Sequence, residues 1–82
     1  MRIICTKYKT TGDITKLDGT PIPEDEPLFL FRAQDKLLVK TLGYYRKLCI
    51  SSGTSEETLG MLDEQIAQIE QWQRSHFTRF PL

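Results

Sequence analysis

Arg32, Gln34, Lys36, Lys40 and Tyr44 are the side chains of this 82-residue chain whose types and spacing could carry chemistry, and that chemistry is recognition of an anion. Arginine's planar fork holds a phosphate or carboxylate through two parallel hydrogen bonds, and glutamine can read a base edge or a peptide group. Arg32, Gln34 and Asp35 fall where an apolar run hands over to a helix start, a geometry that exposes amides and favours negative charge. Lys36, Lys40, Gly43 and Lys47 then recur at i, i+4, i+7 and i+11, a basic stripe with a glycine gap and with Tyr44 beside it for stacking. Glycine in a helix interior costs about 1 kcal/mol relative to alanine, so the gap suggests that something approaches the backbone there. The competing reading is internal. Arg32 pairs with Glu24, Asp25 or Glu26, Asp35 is consumed as a helix cap, and the lysines form a solvated face open to pairing with acids of the next helix.

Catalysis has no comparable constellation. Glu24, Asp25 and Glu26 are adjacent acids in a proline loop, pointing in different directions and hydrated, so they suit neither a general base nor a divalent metal. Ser51 and Ser52 lie near Cys49, but the single histidine, His76, belongs at the far end of the second helix. A metal site needs several convergent ligands, and we expect neither a metal nor a cofactor. Cys5 and Cys49 read as reduced, buried thiols in a chain without an export signal. The expectation is a protein that is not an enzyme.

Positioning such groups requires a folded scaffold, and 39% apolar with 27% charged residues describes a folded chain. No apolar run approaches the roughly 20 residues of a membrane helix, and MRIICTKYKT has too short an apolar core for a secretory signal. A cytoplasmic protein is expected. Eleven basic and eleven acidic residues cancel, which argues against duplex nucleic acid as partner. The cancellation is not local: residues 1–16 carry +3, 17–27 carry −4, 28–50 carry +4 and 51–82 carry −3. A small anion needs only a local positive site.

RIICTKY, β-branched and apolar, predicts a strand, and Asp18-Gly19 predicts a tight turn. Pro21-Ile22-Pro23 is forced to be extended, and Pro27 marks the start of a second strand. In that strand Leu28, Leu30 and Arg32 alternate with Phe29, Phe31 and Ala33, so both faces are apolar and each needs a cover; Phe29, Leu30 and Phe31 are expected in the core. Helices can cover one face, which leaves the other for a second chain.

Asp35 caps a first helix over 35–50, whose stripe is Leu38, Leu42, Tyr45 and Cys49, widened by Leu37, Tyr44 and Leu48. Gly53 suits a left-handed C-terminal cap, and Thr54 with Glu57 has the form of a capping box. The second helix, 54–76, repeats Leu59, Leu62, Ile66, Ile69 and then Trp72 or Gln73, a narrow seam suited to an antiparallel hairpin or to pairing between chains. The tail, 77–82, places Phe77, Phe80 and Leu82 beyond the helix, where they should fold back or dock on a neighbour. The expected fold is a single α+β domain over 1–82. Strands and a proline-rich loop occupy 1–34, and a small antiparallel sheet packs on an antiparallel two-helix hairpin, completed by oligomerisation.

DGTPIPEDEPLFLFRAQDKL (18–38), followed by LGYYRKLC and a second helix ending in a tryptophan, resembles a family of small accessory proteins of bacteriophages and prophages. The likeness covers about residues 18–50 plus Trp72. It implies an oligomeric binder of host proteins or small host metabolites, working in the host cytoplasm. With the resemblance added, the expected function is a non-enzymatic anti-defence protein that sequesters a small anionic ligand, such as a nucleotide signal of host immunity, through Arg32, Gln34, Lys36, Lys40 and Tyr44. The alternative is a protein-interaction module that inhibits or recruits a host protein through its helical hairpin.

Overall fold

A computed structural model describes Tyr8, Thr10, Gly12 and residues 14–81. The chain divides into two compact units, Met1–Leu30 and Phe31–Leu82.

In the first unit the Asp18-Gly19 turn forms as the sequence predicts. The Gly19 amide donates to the Lys16 carbonyl at 2.9 Å with Gly19 at φ 87°, a backbone that glycine adopts without a Cβ clash. Asp18 Oδ1 accepts the Thr20 amide at 2.9 Å, and hydrogen bonding from the Thr20 side chain, then from that amide, holds the Asp18 carboxyl below the ordinary range. Lys16 then donates to the Thr20 carbonyl at 3.0 Å, and Thr15 and Pro21 close an isolated antiparallel bridge.

The second unit is a helical hairpin of α1 (Leu38–Ser51) and α2 (Glu56–Arg74). Its loop is short because one set of residues ends α1 and begins α2. Gly53, at φ 81°, donates to Ile50 at 3.1 Å, and Thr54 donates to Cys49 at 3.0 Å. These two bonds satisfy the last carbonyls of α1 in the left-handed cap expected at Gly53. They also displace the expected capping box. With the Thr54 amide used by α1, the N-cap of α2 is Ser55, whose hydroxyl accepts the Thr58 amide at 3.2 Å.

The seam follows the heptad-like spacing. Leu38, Leu42, Arg46 and Cys49 of α1 turn inward against Leu59, Leu62, Ile66, Ile69 and Gln73 of α2. Gln73, not Trp72, takes the last seam position, and Tyr45 lies outside. Cys49 is a free, half-buried thiol; Cys5 lies outside the described residues.

The expected sheet is not supported. Leu28–Arg32 forms no strand, and the bridges that Thr15 makes with Pro21 and Asp35 with Arg79 are isolated ones. All of RIICTKY except Tyr8 lies outside the described residues. An apolar run with β-branched or aromatic content marks a surface that suits a sheet, but pairing needs a partner edge, and the run cannot supply it alone. Nor are Phe29, Leu30 and Phe31 core residues, since Phe29 is 75% exposed and the other two nearly half exposed. Among the described residues only Leu38, 3% exposed, is buried.

Candidate functional site

The first helix begins at Leu38 rather than beside Asp35, and the reason decides what the predicted anion site can use. Asp35 Oδ1 accepts the Leu37 amide at 2.8 Å, the Lys36 amide donates to the Arg79 carbonyl at 2.9 Å, and the Leu38 amide donates to the Asp35 carbonyl at 3.1 Å. Three amides that could have faced an anion are therefore satisfied internally. Asp35 is a cap, as its type suggests, but it caps a turn two residues before the helix.

That turn is clasped from both sides by the end of α2 and the tail. Gln73 Nε2 donates to the Ala33 carbonyl at 2.9 Å and to the Asp35 carbonyl at 3.1 Å. Arg79 donates its amide to the Gln34 carbonyl at 2.8 Å and closes a parallel bridge at Asp35. The tail thus folds back at Arg79, although Phe77 and Phe80 stay exposed. Gln73 had no role beyond packing in the sequence; its signal was a polar residue at a core position of a heptad, where such a group tends to fix register.

The five predicted ligand residues divide between the clasp and the outer face of α1. Gln34 is half buried, with its carbonyl in the clasp. Lys36 Nζ sits 5.0 Å from the centroid of the Phe80 ring, a cation–π contact that turns the ammonium toward the tail. Arg32 is exposed, and among the described residues its guanidinium makes no ion pair or hydrogen bond. Lys40 and Tyr44 lie further along α1, exposed. A Cβ added at Gly43 would meet nothing within 4 Å, so packing inside the chain does not require that glycine.

One further contact ties α1 to α2, and another closes the end of α2. Arg46 and Asp63 form a two-pronged ion pair, Nε to Oδ1 at 2.6 Å and Nη2 to Oδ2 at 3.1 Å, whose hydrogen bonds hold the Asp63 carboxyl down and the Arg46 guanidinium up. Trp72 and His76 stack at 4.0 Å, within 2° of parallel, and His76 Nδ1 lies 2.7 Å from the Trp72 carbonyl. Because a carbonyl only accepts, Nδ1 carries the proton, and His76 helps to close the end of α2.

Among the described residues no three His, Cys, Asp or Glu side chains are grouped to hold a metal ion. No described helix is long and apolar enough to cross a membrane. The chain matches no protein-family model, no curated protein and no solved structure. The surface is apolar where α1 faces outward: Tyr44 is 65% exposed, with Leu37, Tyr45 and Leu48 about half exposed.

Proposed function

We propose that the chain is a non-enzymatic interaction module that works through its helical hairpin. The observation that carries this is the imbalance between Leu38, the one buried side chain among the described residues, and the aromatic and aliphatic side chains left on the outside of both helices. Single exposed apolar residues are ordinary on a protein surface, but a contiguous set along a helix is the usual mark of a docking face. A host protein as partner, inhibited or recruited, follows from the phage-like sequence pattern. The test is binding of the full chain to host proteins before and after Tyr44→Glu with Leu48→Glu. Helicity should be retained and binding lost; binding unaffected by the double change would sink the reading.

The second reading, sequestration of a small anion, rests on the exposed Arg32 guanidinium. With the amides of Lys36, Leu37 and Leu38 satisfied and the Lys36 ammonium on Phe80, an anion would rely on Arg32 and Lys40. Such a pair is exposed and screened by salt, a weaker site than the preorganised cradle the sequence suggested. A thermal-shift series with nucleotides separates the two readings. Stabilisation that disappears in Arg32→Ala would favour the anion.

A further inference from the structure

The Arg46–Asp63 ion pair marks one side of the hairpin. Advancing about 100° per residue, Leu37 at the N-cap and Tyr44 and Leu48 of α1 fall within about 40° of one another, opposite Arg46 and turned outward from Leu38, Leu42 and Cys49. By the same count Met61, Gln65 and Trp72 fall within about 40° on α2, on the flank away from Asp63. Since Arg46 and Asp63 meet on one side, both trios open on the other. The side with the ion pair carries Glu56, Glu70 and Arg74 on α2, with Val39 and Ile50 beside Arg46 on α1; the opposite side is a strip two helices wide in which Gln65 stands among five apolar or aromatic side chains.

The register of the hairpin puts the two trios level. Gln73 reaches the Asp35 carbonyl and Asp63 reaches Arg46, so moving up α1 moves down α2 at the same rate. Leu37 is then level with Trp72, Tyr44 with Gln65, and Leu48 with Met61. Charge selects what covers this strip. From Leu38 to Ser51, α1 carries Lys40, Arg46 and Lys47 and no acid; from Glu56 to Arg74, α2 carries five acids and one base.

We propose that a second copy of this chain covers the strip, the two hairpins stacking face to face so that α1 of each lies against α2 of the other. The arrangement rests on the interaction-module reading and assigns one face of it. In it every helix neighbours two antiparallel helices of opposite charge, Leu48 meets Met61 of the second copy, and Leu37 meets its Trp72. Stacking α1 on α1 would instead bring two wholly basic helices together. The closed result is a four-helix bundle with two-fold symmetry, and it supplies the core that one hairpin lacks.

The test uses the full chain with Cys5→Ser and Cys49→Ser. Leu48→Cys is placed in one preparation and Met61→Cys in another, and each is oxidised alone and after mixing. A covalent dimer should form on mixing, with little from either alone, because equivalent positions lie on the diagonal of the bundle. Light scattering on the unsubstituted chain should give twice the monomer mass, falling to the monomer in Leu48→Glu while helicity is kept. Cross-linking of Leu48→Cys alone, no cross-link on mixing, or a monomer at tens of micromolar would each overturn the proposal. Leu48 also enters the partner-binding test, so the interaction-module reading is decided on Tyr45→Glu, an exposed side chain outside both trios: host-protein binding lost with the dimer mass kept supports it, and binding kept overturns it.

Discussion

Gln73 shows how a single side chain positions the start of a helix forty residues away. Its amide supplies both hydrogens that the Ala33 and Asp35 carbonyls receive from α2. In Gln73→Glu the donor becomes an acceptor facing two carbonyls, and leaving half-buried acceptors unsatisfied costs about 1–3 kcal/mol. In a domain of this size that lowers the melting temperature by roughly 4–8 °C per kcal/mol, readable by circular dichroism. Gln73→Met, similar in length but without a charge, should cost less. Asp63 gives a pH signature. Its carboxyl titrates below the ordinary value because of the hydrogen bonds from Arg46, so the stabilisation is present above the unfolded-state pKa of about 3.9 and is lost as pH falls through the lowered folded value. Melting temperature should therefore fall on acidification below about pH 4, and less steeply in Asp63→Asn.

At the scale of the elements, two glycines make opposite predictions for the same substitution. Gly53 sits at φ 81° in the cap of α1, where a Cβ is strained, and Gly53→Ala should cost about 1–2 kcal/mol. Gly43 lies inside α1 with open space around its Cβ position, and Gly43→Ala should gain about 0.5–1 kcal/mol. Urea melts of the two variants, shifted in opposite directions, would check the helix bounds. Leu38→Ala should cost about 2–5 kcal/mol as the loss of a buried leucine. Phe31→Ala, at a position nearly half exposed, should cost less. If Phe31→Ala proves the more damaging, the exposure of Phe31 is an effect of viewing one chain, and a partner buries it.

For the whole molecule, the decisive quantity is how little one chain buries. A domain of 82 residues already hides a modest fraction of its surface, and this one hides Leu38 alone among its described side chains. Stability should consequently depend on concentration, the melting temperature rising from low micromolar to high micromolar protein as association adds its free energy. A melting temperature independent of concentration over that range would mean that one chain is sufficient. Arg32→Ala bears on the same scale. With no ion pair among the described residues to lose, it should leave melting unchanged and act only on whatever anion binds.

The sequence by itself determined the features that are local in the chain. The helical hairpin, the left-handed glycines at 19 and 53 and the seam from Leu59 to Ile69 were legible because each follows from short spacings or from one residue's allowed backbone. Tertiary structure alone decided where the remaining groups went. The amides before α1 were taken by Asp35 and by Arg79, a residue more than forty positions away, and no local pattern announces such a partner. Gln73 rather than Trp72 entered the seam because its donor was needed at the clasp. Leu28–Arg32 did not become a strand, since a strand is completed by the edge it pairs with, and its own residues specify only that such an edge would suit it.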